Sequence, residues 1–183
     1  MIGEQTIRQV EAEARYFKQT APRPNIDILL RTAQQHHVQL SMMADTKASI
    51  LITVSSIVLT ISLSRSADPL LRPALLTLAF SCLVSLILAI IAVLPGFAKH
   101  KGKRNLLFFG HFAHMDEDEY MRAMEQVLST DEKVYEAEVR DLYSLGVYLF
   151  RKKYRFLRYA YVALLIGFIL ATAVELYVLF NWA

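Results

Sequence analysis

Residues 159–182 read YAYVALLIGFILATAVELYVLFNW and contain a single charged side chain, Glu175. Two further stretches contain no charge at all: residues 48–64 (ASILITVSSIVLTISLS) and residues 73–94 (PALLTLAFSCLVSLILAIIAVL). A helix that crosses a hydrocarbon core of about 30 Å needs ~17 to 25 apolar residues. The three stretches therefore predict three transmembrane helices, because the rest of the 183-residue chain is too short to bury them in a soluble core.

The composition supports a membrane protein and excludes several other classes. Hydrophobic residues make up 55% of the chain and charged residues 20%, and the mean hydropathy is +0.33. The only cysteine, Cys82, excludes a disulfide scaffold. The net charge of +3 is too small for a nucleic-acid-binding domain, so we expect no nucleic acid partner.

Basic residues predict the orientation of the three spans. Residues 1–24 are polar and lack the apolar region of a signal peptide, so we expect the first span to stay as an anchor. The connector at residues 65–72 carries two arginines and one acid, whereas nine basic residues flank the loop at 95–158. These nine are Lys99, Lys101, Lys103, Arg104, Arg151, Lys152, Lys153, Arg155 and Arg158. The positive-inside rule then places the amino terminus and residues 95–158 in the cytoplasm, and the connector and residues 182–183 outside.

Two of the spans are predicted to continue as cytoplasmic helices. No Gly or Pro interrupts residues 25–64, so a helix capped by Asn25 is expected to run through residues 25–47 into the first span. A capping box at Ser129 and Glu132 begins a second long helix that enters the third span at residues 159–181. A shorter helix is expected from Asp116 to Leu128. The predicted fold is an all-α membrane protein in which the first and third transmembrane helices extend into a small cytoplasmic helical bundle.

Polar and small residues recur at helical spacing inside the spans. They are Asp45, Ser49, Thr53, Ser56 and Thr60 in the first, Thr77, Ser81, Ser85 and Ala89 in the second, and Gly167, Ala171 and Glu175 in the third. Such faces either pack within one protomer or meet other protomers and line a water path. Three helices enclose too little space for a pore, so permeation requires a homo-oligomer or a distorted bilayer.

Three charged residues at or inside the spans need separate explanations. Asp45 and Lys47 are two residues apart and point in different directions on a helix, so each needs its own partner. Lys47 is expected to reach lipid phosphate. Glu175 is either an interfacial side chain or one that lies between helices or lines a pore.

No catalytic pattern occurs in the sequence. It contains no nucleophile elbow and no phosphate-binding glycine loop, so we expect neither an enzyme nor a cofactor. His111 and His114 precede two acids, but nothing indicates that a helix presents them together, and no metal site is predicted. Basic residues instead collect near one membrane face, with Arg122, Lys133 and Arg140 adding to them, which favours an anionic small ligand there.

Several short motifs occur in a specific order relative to the three spans. They are Ala44-Asp45-Thr46-Lys47-Ala48, residues 105–113 (NLLFFGHFA), Glu119-Tyr120, Tyr135, Arg140-Asp141-Leu142-Tyr143 and Lys152-Lys153-Tyr154. In this order the sequence resembles the transmembrane effectors of Pycsar antiphage systems, over most of residues 30–175.

The resemblance implies a function in bacterial defence. In such systems a partner pyrimidine cyclase makes cyclic CMP or cyclic UMP after phage infection, and the effector impairs the inner membrane so that the cell dies first. The sequence shows no cyclic-nucleotide-binding β-roll, so we expect sensing to lie in the cytoplasmic helices or in another chain. The expected contacts for phosphate and base are Asn105, Arg122, Arg140 and Lys153. The alternative is a ligand-independent membrane adaptor whose cytoplasmic helices recruit a protein.

Overall fold

A computed structural model describes residues 17, 22–94 and 105–182, and it contains helices and connecting turns. The helices are α1 (Pro24–Arg65), α2 (Arg72–Val93), α3 (Phe109–Phe112), α4 (Glu117–Val127), α5 (Asp131–Tyr148) and α6 (Arg155–Trp182). A π-helical segment, Leu149–Tyr154, joins α5 to α6 without a break. No strand occurs in these residues, so the prediction of an all-α fold is confirmed.

Three helices are long and apolar enough to cross a membrane. They are α1, α2 and the continuous helical run Asp131–Asn181, which comprises α5, the π-helical segment and most of α6. The 42 residues of α1 give a helix of about 63 Å, roughly twice the hydrocarbon thickness. The prediction of three transmembrane helices, the first and third of them longer than a span, is confirmed.

The N-cap of the first helix lies two residues earlier than predicted. The carbonyl of Arg23 accepts hydrogen bonds from the amides of Ile26 at 2.9 Å and Asp27 at 3.5 Å, so Arg23 is the N-cap. Pro24 takes the first helical position, where its missing N–H costs nothing. The prediction of Asn25 as N-cap is therefore wrong.

The start of α5 also differs from the predicted capping box. The carbonyl of Thr130 accepts from the amides of Lys133 and Val134, so Thr130 is the N-cap. The Ser129 hydroxyl donates to the Gln126 carbonyl at 2.8 Å and accepts from the Lys133 ammonium at 3.1 Å, and it caps no amide of α5. The carboxylate of Asp116 does cap α4, since it accepts from the Asp118 amide at 3.3 Å.

The chain divides into two compact units. Unit 1 comprises residues 1–37 and 96–147, and unit 2 comprises residues 38–95 and 148–183. The described part of unit 1 contains the beginning of α1 together with α3, α4 and nearly all of α5. Unit 2 contains the apolar part of α1, all of α2, the π-helical segment and α6.

Small side chains form the core of unit 2. The buried cluster consists of Ala44, Ala48 and Leu51 from α1, Ala89 and Ala92 from α2, and Leu157 and Ala160 from α6. Small residues let helix backbones approach closely, which is the main source of packing energy between helices in lipid. A Cβ placed on Gly167 of α6 would lie 2.1 Å from the Cβ of Ser81 in α2, so this contact admits only glycine.

Buried hydroxyls join the three helices of unit 2. Ser85 of α2 donates to the backbone carbonyl of Ala160 in α6 at 2.9 Å. The Ser55 hydroxyl of α1 in turn donates to Ser85 Oγ at 3.4 Å. Both serines are fully buried, so Ser85 of the predicted polar face of α2 packs within the protomer.

Beyond Asp45, the predicted polar face of α1 lies mainly on the outside of unit 2. Ser49, Thr53 and Thr60 are exposed, and Ser56 is half-buried. Their side chains bond within the helix: Thr53 donates to the Ser49 carbonyl at 3.0 Å and Thr60 to the Ser56 carbonyl at 2.9 Å. The buried face of α1 is formed instead by Ala44, Ala48, Leu51, Ser55 and Ser62. Of the two alternatives for these faces, the exposure of Ser49, Thr53 and Thr60 favours contact outside the protomer for this part of α1.

Candidate functional site

A cleft of about 530 Å³ opens on unit 1 between α1, α5 and the turn that precedes α3. Its polar lining consists of Asp27, Arg31 and Gln34 from α1 and Glu138 and Asp141 from α5. Ile28, Leu30, Leu107 and Leu142 supply its apolar walls. Positions 27, 31 and 34 share one face of a helix, as do 138, 141 and 142, which is why these side chains meet across the cleft. The volume is typical of a small-molecule site.

Two of the three carboxylates in the cleft are held by neighbouring donors. The Tyr135 hydroxyl donates to Asp27 Oδ1 at 3.0 Å. The Asn105 amide nitrogen donates to Asp141 Oδ1 at 2.8 Å and to the Ser144 hydroxyl at 2.9 Å, and Asn105 is itself buried. Since charge-assisted bonds fix geometry well, Asp27 and Asp141 form rigid parts of the wall.

Glu138 is the remaining carboxylate, and it has no hydrogen-bond or ion-pair partner among the residues that the structure describes. It is half-buried in the middle of α5. Burial raises the pKa of its carboxyl, and the nearby charge of Asp27 raises that pKa further. Burial, followed by the bond to Asp27, likewise raises the pKa of Tyr135.

The four predicted ligand contacts lie at separate places. Asn105 contacts the cleft through Asp141. Arg140 forms an ion pair with Glu136 one turn earlier in α5, and Arg122 is exposed on α4. Lys153 belongs to unit 2. The structure brings Asn105 next to a cleft residue, whereas the contacts predicted for Arg122, Arg140 and Lys153 stay predictions.

Lys153 is the centre of a polar cluster in unit 2. Its Nζ lies 2.7 Å from both carboxylate oxygens of Asp45 and 2.8 Å from the Ser41 hydroxyl. Its neighbour Tyr154 donates to the Leu40 carbonyl at 3.1 Å. The prediction that Asp45 needs its own partner is thereby confirmed, and the partner is Lys153.

The cluster is built on an unusual piece of backbone. Lys153 and Tyr154 end the π-helical segment Leu149–Tyr154, and both side chains bond to α1. π-helical turns are rare and occur often at functional sites. Because the π-helical segment lies at the contact between α1 and the third long helix, this contact is a candidate functional element.

The other charged residues near the spans are less constrained. Lys47 is exposed, and its backbone carbonyl accepts from the Tyr161 hydroxyl at 3.4 Å. The half-buried Glu175 has no hydrogen-bond or ion-pair partner within residues 22–94 and 105–182. Among the uncharged polar residues predicted for the spans, the Ser81 hydroxyl donates to the Thr77 carbonyl one turn earlier in α2, at 3.1 Å.

Metal ligation finds no support in the part of the chain that the structure describes, which contains no group of three or more His, Cys, Asp or Glu placed around a common point. The side chain of His111 lies outside the described side chains. Four of the nine basic residues that predict the orientation also lie outside the described residues, namely Lys99, Lys101, Lys103 and Arg104. The same holds for most of the polar segment at residues 1–24.

Nearly the whole region of these helices matches one known protein family. The family model is that of PycTM, the Pycsar effector protein domain, and it covers residues 28–180. The chain belongs to that family. No curated protein and no solved structure matches it.

The family gives this Pycsar effector its general function. The Pycsar effector domain implies an antiphage defence effector, and it connects the protein with a cyclic-nucleotide system and with a membrane. The resemblance predicted from short motifs is confirmed.

Sequence reasoning missed the cleft residues of this Pycsar effector. Asp27, Arg31 and Gln34 are polar residues at intervals of four and three within an apolar helix, which is a detectable signal. On α5, Asp141 and Leu142 lie three and four residues after Glu138, which puts the three side chains on one helix face.

Proposed function

We propose that this Pycsar effector responds to a cyclic pyrimidine mononucleotide, cCMP or cUMP, made by a partner pyrimidine cyclase, and then impairs the bacterial inner membrane. The infected cell would die before phage mature, which is abortive infection. The observation that carries this proposal is the family match over residues 28–180, a region that contains all of α2 and nearly all of the other two membrane-capable helices.

The proposed topology follows the distribution of charge. Residues 48–64, 73–94 and 159–181 cross the membrane, residues 1–24, 25–47 and 95–158 are cytoplasmic, and residues 65–72 and 182–183 are external. Exposed Arg151, Arg155 and Arg158 directly before the third span support this orientation. Unit 1 then faces the compartment in which a cyclase would release its product.

Membrane damage is proposed to require a homo-oligomer or a distorted bilayer. In unit 2 the three helices pack through alanine, glycine and serine, and this packing leaves no room for a channel within one protomer. The exposed hydroxyls of Ser49, Thr53 and Thr60 support contact between protomers, since such residues are typical of helix interfaces in lipid.

The nucleotide is proposed to act as a binding ligand and not as a substrate. Ligand binding shifts a population of conformations toward the one that it binds more tightly. A change from 1:99 to 99:1 requires about 5.5 kcal/mol of differential affinity. No chemical step is needed, so we propose no enzymatic activity.

Dye-loaded liposomes test the proposal directly. Purified protein should release the dye when cCMP or cUMP is added, and linear CMP or UMP serves as the matched control. Release with the cyclic form alone supports the proposal. An absence of both binding and leakage with either cyclic nucleotide would contradict it.

A ligand-independent adaptor is the second candidate. Large apolar side chains are exposed on unit 1, with Met121 at 62%, Leu128 at 63% and Tyr143 at 73% exposure. Such residues favour docking of a partner helix. An adaptor would co-purify with a defined protein, and cyclic mononucleotides would leave its melting temperature unchanged.

A further inference from the structure

The cleft of unit 1 contains more hydrogen-bond acceptors than donors. Asp27, Glu138 and Asp141 contribute carboxylates, whereas among the described residues of its lining the side-chain donors are Arg31 and Gln34. A carboxylate accepts but cannot donate when ionised. The cleft therefore suits a ligand that offers N–H groups to α5 and one anionic group to Arg31.

Glu138 is the carboxylate that is available to a ligand. Asp27 is bonded to Tyr135 and Asp141 to Asn105, while Glu138 has no partner in the described parts of the chain. Leu30 and Leu142 are apolar members of the same lining, and Glu138 itself is half-buried. A partly desolvated acceptor discriminates strongly between ligands. A ligand that offers it no hydrogen-bond donor leaves the acceptor unsatisfied and therefore binds less tightly.

We propose that this cleft is the nucleotide site and that Glu138 selects cytosine over uracil by accepting a hydrogen bond from the exocyclic amino group of the base. The proposal rests on the proposed function, and it names the site and the base.

Cytosine and uracil differ in the exocyclic group with which a carboxylate can form a hydrogen bond. Cytosine presents an amino group, a donor, where uracil presents a carbonyl, an acceptor. Cytosine therefore completes the hydrogen bonding of Glu138, whereas uracil would place two acceptors against each other. Hydrogen bonding to the ionised form also offsets the burial that raises the pKa of Glu138, so cytidine binding should release a proton from this group at mildly acidic pH.

Arg31 is placed to hold the cyclic phosphate. It lines the same cleft from α1, and no carboxylate forms an ion pair with it among the described residues. Arginine binds phosphate through two parallel N–H bonds. Arg31→Ala should lower the affinity for cCMP and for cUMP by a similar factor, so that the ratio of the two affinities stays unchanged.

Calorimetric titration of the full-length protein in detergent, with cCMP and cUMP, tests the selection. Wild type should bind cCMP about 10-fold more tightly than cUMP, in line with one specific base contact. Glu138→Gln offers a donor as well as an acceptor and should lose most of that preference, whereas Glu138→Asp should keep its sign. Glu125→Gln, on the exposed side of α4, is the matched control and should behave like wild type.

The outcomes separate this proposal from the proposed function. Tighter binding of cUMP, or a preference for cCMP that survives in Glu138→Gln, overturns the role of Glu138 while the effector function stands. Binding of neither nucleotide by wild type overturns the function and the site together. A melting curve for each variant shows that it is folded before its affinity is compared.

Discussion

Lys153 of the π-helical segment holds Asp45 of α1 with its Nζ equidistant, at 2.7 Å, from the two carboxylate oxygens. The lysine side chain is only 12% exposed, whereas that of Asp45 is 46% exposed. The Lys153 ammonium therefore depends on this ion pair more than the Asp45 carboxylate does, because the lysine charge is largely removed from water.

Replacing the carboxylate should destabilise unit 2. Asp45→Asn leaves the ammonium of Lys153 with weaker acceptors, and we expect a loss of about 1–3 kcal/mol in the free energy of unfolding. Denaturant unfolding in detergent measures it. The double variant Asp45→Asn, Lys153→Met should recover part of the loss; fully additive losses would contradict coupling between the two residues.

A methyl group at Gly167 should force α2 and α6 apart. Its Cβ would lie 2.1 Å from the Cβ of Ser81 and 2.4 Å from its Oγ, so Gly167→Ala should cost about 1–3 kcal/mol in unfolding free energy. Ser81→Gly removes the opposing atoms and should rescue the variant.

A glycine of unit 1 provides the comparison for this contact. At Gly146 the nearest atom to an added Cβ is His37 Nε2, at 3.2 Å, so Gly146→Ala should cost less than Gly167→Ala. Equal losses for the two variants, or no rescue by Ser81→Gly, would show that the approach of α2 to α6 is not limiting.

Asn105 should stabilise unit 1 by joining the turn before α3 to α5. Its amide nitrogen bonds to Asp141 and Ser144, and its Oδ1 accepts from the Leu107 amide at 3.0 Å. Asn105→Ala leaves the buried Asp141 carboxylate without this donor and should cost about 1–3 kcal/mol, read from chemical denaturation. Arg122→Ala, at an exposed position, should change stability by less than about 0.5 kcal/mol.

Glu138 should make stability depend on pH with a definite sign. Its pKa is raised in the folded state, so its contribution is fully present below the unfolded pKa and is lost as pH rises through the higher folded pKa. Glu138→Gln should therefore be more stable than wild type at neutral pH, and this advantage should disappear near pH 4. Melting temperatures of both proteins at several pH values measure it.

The comparison with Glu138→Gln isolates one group from the others that face it. Asp27 and Arg31 of α1 and Asp141 of α5, which line the same cleft, are present in both proteins, so the difference in melting temperature reports the change at position 138. A variant advantage that is constant from pH 4 to pH 8 would contradict the assignment to Glu138.

The spans and their helical extensions could be predicted from the sequence because membrane solvation constrains them strongly. An uncharged run such as residues 73–94 has few structural alternatives in a bilayer. The buried face of α1 was harder to predict, since Ser55 and Ser56 are adjacent and periodicity alone favoured Ser56. Which serine bonds to Ser85 depends on the rotation of α1, and helix packing decides that rotation.

The candidate site could be predicted only in part. Asp45 was expected to need a partner, but a contact with a residue 108 positions later leaves no local trace in the sequence. Likewise, the π-helical segment has no compositional signature, because it reflects a local change in hydrogen-bonding register. The cleft arises from two helix faces whose pairing is tertiary.

The outward hydroxyls of α1 make this helix tolerant of its surroundings. Thr53, Ser56 and Thr60 give their protons to carbonyls of the preceding turn, so lipid leaves no donor unpaired. Each oxygen nevertheless retains a lone pair that a neighbouring protein can use. Such a surface is well solvated both by lipid and by protein. If another helix replaced the acyl chains around α1, none of these hydrogen bonds would have to break.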